Sequence, residues 1–497
     1  MKGRLNRQVF DSFYDAVAYV FSSYSRSKPF RSPGYDRDTR DPRHLRRLLD
    51  RLGRPDRAQR NIKITGSKGK GSTSRMLAAL LEARGYRVGL FTSPHLIDFT
   101  ERIRVNGLAI PEADFMALLS VVRGPLEMLQ ADFSPTQYFG PVGIVAAVAM
   151  LYFAQCETDV NVIELGRGAR HDDVNALVAD LAAVTPVLME HAQQLGPTLQ
   201  DIAYSKAGVI TEGLGAVVVG RQFPEPAAVL RSEAAAMGVP LIAYGADFAV
   251  REAEILSSGT RCGIRTPRAE YASMTIGPLG AHQADNAAVA LTVAELFVGA
   301  PLAERTVRDA LAGLRLLGRG QVLQGTPQVL IDAAINRESA ACAKDVILSR
   351  QYSRLVLVMG VPVDKDYRGM LDVLGPLSDL IVLTVTKNPH LTFPQDAVDA
   401  AQQYRPALFF PTLGEAIGAA TRAANTDGMV AIIGTHSLVA EALEYYAVPT
   451  RDLAPVGPVG SAGPLGSRES AEAVESIGSV ASLELTGLTG QVGRSNQ

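Results

Sequence analysis

Short runs of apolar residues alternate along this chain with segments whose apolar positions recur at helical spacing. In the first half, the runs that predict strands are 61–65, 87–93, 159–165, 181–187 and 215–220. The patterns that predict helices there are 73–85, 143–155 and 282–298. Because these strands are apolar on both faces, they predict a parallel sheet that is covered by helices.

The same alternation begins again after residue 300. Four more buried strands are predicted at 329–334, 354–360, 380–386 and 429–435. We therefore place a domain boundary near 299–320 and predict domains at 1–300 and 301–447. The remaining segment, 448–497, is rich in Pro, Gly and Ser and is expected to be a disordered tail.

The composition is typical of a soluble, globular, multidomain protein. The chain has 497 residues, of which 47% are hydrophobic and 20% charged, and its net charge is -2. This charge provides no global basic field for a nucleic acid. The local basic segment 43–60 is interpreted as the solvated face of a helix.

Neither a secretory leader nor a membrane span is predicted. Asp11 and Asp15 interrupt the apolar residues near the start, and no apolar run reaches about 18 residues. Cys156, Cys262 and Cys342 lie far apart, which argues against a disulfide framework or a zinc site and fits a reducing compartment. A cytoplasmic protein is expected.

The segment 64–73, ITGSKGKGST, has the glycines and the lysine of a phosphate-binding loop. It departs from the Walker pattern G-x-x-x-x-G-K-[ST], because Gly71 follows Lys70 and the hydroxyl comes one residue later, at Ser72. The segment joins a predicted strand to a predicted helix, where free N–H groups and the helix dipole favour a phosphate. Lys70 adds a positive charge and Ser72 a hydroxyl for Mg²⁺, so nucleotide binding is predicted in preference to a structural turn.

Further motifs follow this loop in order. They are LFTSPHLIDFTERIRVNG (90–107), ELGRGARHDDVN (164–175), EHAQQLGPTLQDIAYSKAGVI (190–210), GAHQADNAAVAL (280–291), GRGQ (318–321), IDAAIN (331–336) and DKD (364–366). With GSKGKGS (66–72), the set resembles the folylpolyglutamate synthase/dihydrofolate synthase family of Mur-ligase-like, ATP-dependent amide ligases, over residues 12 to 445. The motifs TSPHL…ERIRVNG and LGPTL…IA…KAG point to the folate-type branch rather than to the cell-wall branch.

The resemblance implies an α/β fold in which a parallel-sheet, ATP-binding domain containing the phosphate loop precedes a smaller, Rossmann-like domain. It also implies a reaction. ATP phosphorylates a substrate carboxylate, and the amino group of glutamate attacks the acyl phosphate to give an amide, ADP and phosphate. Cations and amide donors must offset the repulsion between the carboxylate and the γ-phosphate. The implied partners are small molecules, a monomer is expected, and no nucleic acid or membrane is involved.

Individual residues receive roles from the same resemblance. The implied nucleotide-binding residues are Gly66, Gly69, Lys70, Gly71, Ser72, Thr73, Asn286, Arg319 and Asp332. Two Mg²⁺ sites are implied, and their ligands are Ser72 and Glu164 for one, and His191 and a carbamylated Lys206 for the other. The implied catalytic residues are Lys70, His191 and Lys206. Lys365 is either near the nucleotide or part of a solvated turn.

Several positions depart from the family's pattern. Ile335 stands where the family has a histidine, Gly140 where it has a glutamate and Gly143 where it has a threonine. The other departures are Arg167, Ala169, Glu190 and Ser205. Arg167 either suits a more anionic substrate or faces solvent. Since the set of triphosphate and metal residues is nearly whole, ATP-dependent ligation is still predicted.

Three functions remain open at this point. The first is a ligase that adds glutamate to dihydropteroate, to tetrahydrofolate, or to both. The second is a diverged ligase that joins an amino acid to a non-folate carboxylate in specialised metabolism, which the departures motivate. The third is a nucleotide-binding relative without ligase activity, for which the histidine lost at Ile335 is the support.

Overall fold

The buried strand Asn61–Thr65 (β1) lies inside an eight-stranded sheet. The computed structural model describes residues 10–453, and this sheet belongs to a unit made of 10–93 and 102–246. The other strands are Val88–Phe91 (β2), Ile103–Val105 (β3), Leu108–Ala109 (β4), Val160–Glu164 (β5), Leu181–Val184 (β6), Ala216–Val219 (β7) and Leu241–Ala243 (β8). Their order is β4-β3-β2-β5-β1-β6-β7-β8; the β2–β3 and β3–β4 pairs are antiparallel and the other pairs are parallel.

Helices cover this sheet. They are Phe13–Ser27 (α1), Asp36–Thr39 (α2), Arg43–Arg51 (α3), Lys70–Ala83 (α4), Glu112–Gln130 (α5), Pro141–Gln155 (α6), Ala192–Leu195 (α7), Leu199–Ala207 (α8) and Pro224–Met237 (α9). Short 3-10 helices lie at Lys28–Phe30, Phe99–Arg102 and Asp173–Ala176. Helix α6 is apolar around most of its circumference and is buried from Gly143 to Phe153, because it packs against α1, α3 and α5 as well as β2.

Helix α3 contains the first part of the basic segment 43–60. Its leucines Leu45, Leu48 and Leu49 are buried, whereas Arg46 and Arg47 are exposed. The predicted solvated arginine face is therefore confirmed, and it covers an apolar face that packs against α5 and α6.

The second unit, made of 94–101 and 247–453, contains two sheets. An antiparallel sheet is formed by Ala249–Leu256 (β9), Gly259–Arg265 (β10) and Glu270–Ile276 (β11). Helix Ala281–Val298 (α10) packs on β9 and β10, and Glu304–Ala312 (α11) packs on β11.

The larger sheet of this unit has six strands. They are Gln321–Leu323 (β12), Gln328–Asp332 (β13), Leu355–Gly360 (β14), Leu380–Thr384 (β15), Ala407–Phe410 (β16) and Met429–Gly434 (β17). The order is β12-β13-β17-β14-β15-β16, and only β12 among these runs antiparallel to its neighbour. The accompanying helices are Arg337–Leu348 (α12), Tyr367–Leu374 (α13), Ala397–Gln402 (α14), Leu413–Ala424 (α15) and His436–Tyr445 (α16), with a 3-10 turn at Gly375–Leu377.

The predicted α/β class is confirmed, and every strand listed from the apolar pattern is present. The sheet at 249–276 was missed because its first strand is half-exposed at both ends and exposed in the middle, so it forms no apolar run. In the structure, α10 belongs to the second unit, whose longer segment begins at Asp247.

The predicted tail falls largely outside the described residues, which end at 453. Its first residues are attached to the second unit: Val448 packs against the core of the six-stranded sheet, and the Thr450 hydroxyl donates to Glu101 at 2.7 Å. No disulfide joins the three cysteines. Within residues 10–453, no helix combines the length and the apolar character that a membrane span requires.

The core of the six-stranded sheet allows a test of the fold. Leu357 on β14 is 1% exposed, so Leu357→Ala should destabilise the protein by about 2–5 kcal/mol through lost burial and a cavity. Leu348→Ala is the matched control, because Leu348 is 56% exposed and its loss should cost within about 0.5 kcal/mol. Chemical denaturation measures both values, and equal effects of the two substitutions would contradict the assigned core.

Candidate active site

The loop after β1 turns sharply because two glycines adopt backbone conformations that other residues rarely take. Gly66 has φ 139°, and Gly69, which precedes α4, has φ 84°. A Cβ atom on Gly66 would lie 2.0 Å from the Thr185 hydroxyl oxygen and 2.8 Å from its carbonyl oxygen. The turn thus requires glycine at Gly66, and it directs the first N–H groups of α4 toward the loop, where a phosphate would bind.

Two lysines share one acceptor in this loop. The Gly66 carbonyl oxygen accepts from Lys70 Nζ at 2.9 Å and from Lys206 Nζ at 2.8 Å. Among the described residues, the Lys70 ammonium contacts only carbonyl oxygens, the second being that of Ser67 at 3.5 Å. Lys70 forms no ion pair among the described residues, although its charge acts on Glu190, and its role toward a phosphate stays a prediction.

Lys206, on α8, is fully buried and all three of its N–H donors are used. Besides Gly66, they reach the Arg167 carbonyl oxygen at 2.7 Å and the Glu190 carboxylate at 2.9 Å. Burial lowers the pKa of Lys206 to about 8, and the ion pair with Glu190 opposes this shift. For Glu190, burial is the largest single effect and raises the pKa, but the positive charges of Lys206, Lys70 and His191 together lower it overall.

Glu164 ends β5 and lies beside the phosphate loop. Its carboxylate oxygen Oε2 accepts from the Ser93 N–H at 3.2 Å. The same oxygen lies 3.5 Å from the position of a Cβ atom on Gly71, the residue before Ser72. Both Glu164 and Ser72 are buried, with 6% and 7% of their surfaces exposed. The first predicted metal pair therefore lies in one place, at the carboxyl edge of the sheet.

His191 precedes the short helix α7 in a left-handed conformation, with φ 50°. Its side chain is exposed, in contrast to the buried Lys206. Its charge acts on the neighbouring Glu190, which links it electrostatically to the buried ion pair.

The predicted residues of the second unit form their own group. Asp332 ends β13 and accepts from the Gly320 N–H at 2.6 Å. Arg319 in the same loop contacts His436 Nε2 at 2.7 Å, and His436 begins α16 directly after β17. Since β13 and β17 are parallel neighbours, their carboxyl ends bring these three side chains to one edge of the six-stranded sheet. His436 was not predicted, and no motif in the sequence marked it.

The start of α10 belongs to this group as well. Asn286 is buried, and its amide donates to Gln283 at 3.0 Å, one turn earlier. Burial, together with the weaker effect of the positive charge of Arg319, lowers the pKa of His282 to about 4, and Asp285 opposes this shift. Asn286 is thus held by its own helix close to the loop that carries Arg319.

Two further positions have local structural roles. Lys365 pairs with the adjacent Asp364 at 2.9 Å in the turn before α13, which favours the solvated-turn interpretation. Asn336, which follows Ile335, caps α12 by accepting from the Ser339 N–H at 3.1 Å.

Arg167 is partly exposed, and its positive charge is paired. Its guanidinium forms a two-point ion pair with Asp36, with one bond of 2.8 Å from Nε. Asp36 is 3% exposed and also lies 3.6 Å from Arg40. Neither interpretation given to Arg167 from the sequence included this partner, which lies 131 residues earlier in the chain.

These features were compared with known proteins. A family model described as "Mur ligase, glutamate ligase domain" matches residues 318–436. Folylpolyglutamate synthase of Lacticaseibacillus casei is 30% identical over 400 residues, which are 79% of this chain and 90% of that protein. Dihydrofolate synthase/folylpolyglutamate synthase of Bacillus subtilis is also 30% identical, over 401 residues and the same two shares. The chain belongs to the folylpolyglutamate synthase/dihydrofolate synthase family.

Solved structures of the family agree with this assignment. The structure of Mycobacterium tuberculosis folylpolyglutamate synthase complexed with ADP and AMPPCP superposes with a TM-score of 0.80 at 29% identity. The match covers 88% of this chain and 100% of that one. The resemblance drawn from the motifs is confirmed.

The donor set fits a magnesium ion in part. Within residues 10–453, no three His, Cys, Asp or Glu side chains form a cluster that could hold a metal. A family-type site would therefore combine the Ser72 hydroxyl and the Glu164 carboxylate with phosphate oxygens. Such all-oxygen ligands suit Mg²⁺, which is usually bound through one or two carboxylates and substrate phosphates.

The glycine turn can be tested directly. Gly66→Ala should destabilise the protein and weaken nucleotide binding, since the added Cβ meets Thr185 and the residue keeps a positive φ. Gly213→Ala is the matched control: Gly213 also has a positive φ, 82°, but nothing lies within 4 Å of its Cβ position. The control should cost about 1–2 kcal/mol and leave ATP affinity unchanged. Thermal denaturation and ATP titration of both variants decide whether the close approach matters.

Proposed function

We propose that this chain is an ATP-dependent ligase that joins glutamate to the carboxylate of a folate-type acceptor. The observation that carries the proposal is the convergence of Lys70 and Lys206 on the Gly66 carbonyl oxygen, with Glu164 beside the same loop. Relatives named folylpolyglutamate synthase and dihydrofolate synthase support the choice of reaction, and the ADP and AMPPCP complex of one of them supports ATP.

The reaction brings two anions together, the acceptor carboxylate and the γ-phosphate of ATP. The N–H groups at the start of α4 and the Lys70 ammonium bind the phosphates, which lowers the repulsion felt by an approaching carboxylate. The acceptor carboxylate then attacks the γ-phosphorus: an oxygen–phosphorus bond forms and the bond to ADP breaks. The glutamate amine attacks the acyl phosphate, phosphate leaves, and the amine loses a proton.

Ser72 and Glu164 would hold Mg²⁺. The ion would supply positive charge that no side chain at this position provides. In the second unit, Arg319 and Asp332 are proposed to bind the phosphates and the ribose, and Asn286 the adenine. Their grouping at one sheet edge and at the start of α10 supports these roles.

A second Mg²⁺ held by His191 and a carbamylated Lys206 completes the proposed site. Carbamylation would replace the ammonium by a carboxylate, and Glu190 would then lose its ion-pair partner. The lowered pKa of Lys206, about 8 through burial, supports the change, because the neutral amine is the form that reacts with carbon dioxide. Intact-protein mass measured with and without bicarbonate detects the added carbon dioxide.

The second candidate is a diverged ligase with a non-folate acceptor, and the altered residues around Gly140 favour considering it. The non-catalytic alternative has less support, since Lys70, Glu164 and Lys206 are all in place. We also propose a monomer acting in the cytoplasm, in keeping with three cysteines that form no disulfide.

One assay separates these candidates. Purified protein is mixed with Mg·ATP, glutamate and either dihydropteroate, tetrahydrofolate or a panel of other carboxylic acids, and ADP and product mass are followed. Glutamate-dependent ADP release with a folate-type acceptor is expected. Release with other acids alone would support the diverged acceptor, and ATP binding without any ADP release would refute ligation.

Lys70→Ala tests the role of the loop. Losing a cation that faces developing phosphate charge should lower kcat by about a hundredfold or more, while thermal stability changes little. Lys28→Ala, in the same unit but exposed, is the control and should retain full activity. Unchanged turnover in Lys70→Ala would remove this lysine from the mechanism.

A further inference from the structure

Asp173 occupies the space that two glycines leave free at the start of α6. A Cβ atom on Gly140 would lie 1.8 Å from the Asp173 oxygen Oδ2, and one on Gly143 would lie 2.8 Å from its Cβ. Gly140 has φ -64°, a conformation that any residue adopts, so the backbone does not require glycine there. The carboxyl of Asp173 is what excludes a side chain from this position.

The Asp173 carboxyl is buried and has no hydrogen-bond partner within the described residues. It is 9% exposed, yet none of the hydrogen bonds of residues 10–453 involves its oxygens. Neither oxygen is among the fully buried side-chain atoms that lack a partner, so the carboxyl keeps some solvent-accessible surface. Burial raises the pKa of Asp173 to about 7, with the nearby carboxylates adding to this shift and the Arg40 guanidinium opposing it.

The charged groups around Asp173 are already paired with one another. Arg167 pairs with Asp36, and Arg40 lies between Asp36 and Asp172, at 3.6 and 3.9 Å. Asp172 in turn accepts from the N–H groups of Gly166 and Val174, at 3.0 and 2.9 Å. Asp41, which also acts on Asp173, is paired with Arg43. With Asp173 ionised, four carboxylates therefore face three guanidiniums, an excess of one negative charge.

This balance decides what can bind beside Asp173. A phosphate or a carboxylate would meet an unpaired carboxylate and would be repelled, so the triphosphate and the reacting carboxylate belong elsewhere. A group that carries N–H donors would instead supply the missing partners. Two adjacent N–H groups match the two oxygens of a carboxyl best.

We propose that Asp173 is the specificity-determining residue of this chain for the acceptor, and that its carboxyl binds an edge with adjacent N–H donors, such as the 2-amino and ring N–H groups of a pterin. The inference rests on the proposed ligase function and names the part of the acceptor that this chain selects. It also explains Gly140: the carboxyl is supplied by residue 173 in place of a side chain at residue 140.

The decisive experiment compares acceptor and ATP kinetics in Asp173→Ala. The KM for dihydropteroate should rise by about tenfold to a hundredfold, because a hydrogen bond to a charged group is lost, and the KM for ATP should stay unchanged. For the natural protein, a pteroate analogue without the 2-amino group should be a poorer substrate than dihydropteroate. For Asp173→Ala, the analogue and dihydropteroate should be equally good substrates. Glu212→Ala, an exposed carboxylate in the same unit, is the control.

A purely structural role makes a different prediction. If Asp173 only stabilises the N-terminus of α6, Asp173→Ala should lower thermal stability and leave the acceptor KM and the discrimination between the two acceptors unchanged, which would overturn the proposal. Should Asp173→Ala fail to fold, Asp173→Asn keeps the volume of the side chain and allows the same comparison.

Moving the carboxyl gives an independent test. Gly140→Glu alone should be destabilising, because its Cβ meets the Asp173 carboxyl. In the double variant Gly140→Glu/Asp173→Ala the conflict is gone, and the acceptor KM should return toward that of the natural protein. A double variant no better than Asp173→Ala would contradict the inference. If the natural protein releases no ADP with any acceptor, the ligase function itself fails, which is a separate outcome.

Discussion

The phosphate loop depends on one carbonyl oxygen that accepts from two ammonium groups. Lys70 and Lys206 come from different helices, and both reach the oxygen of Gly66. Two like charges at this separation repel each other, and the Coulomb interaction with Lys70 indeed lowers the pKa of Lys206. The Glu190 carboxylate offsets this repulsion, because it pairs with Lys206 and is also attracted by Lys70.

The hydrogen bonds of Lys206 also position a neighbouring loop. Lys206 also binds the carbonyl of Arg167, which fixes the segment between Glu164 and Asp172 relative to the phosphate loop. Asp172 fixes the other end of that segment by accepting from Gly166. A change at Lys206 would therefore disturb the position of Glu164 as well as the local charge.

The sequence allowed prediction of the fold class and of the phosphate side, because both depend on local patterns. Buried parallel strands are apolar runs, and the glycines and lysine of 66–72 are contiguous. The acceptor side depends instead on contacts between distant segments. Arg167 meets Asp36 across 131 residues, and Asp173 meets Gly140 across a helix and a strand, so no spacing rule could indicate either contact. The sheet at 249–276 was missed for a different reason, since half-exposed antiparallel strands lack an apolar run.

The two sides of the first unit thus use charge in opposite ways. On the phosphate side the ammonium groups of Lys70 and Lys206 lie together on one carbonyl oxygen, which suits a polyanion. On the acceptor side the arginines are neutralised by aspartates and the remaining unpaired group is a carboxyl. In the reversed orientation, the carboxylate of an anionic substrate would lie beside Asp173, which repels it, and away from Lys70, which attracts it. The distribution of charge therefore sets the direction in which an acceptor with a polar, N–H-bearing ring and a carboxylate tail can bind.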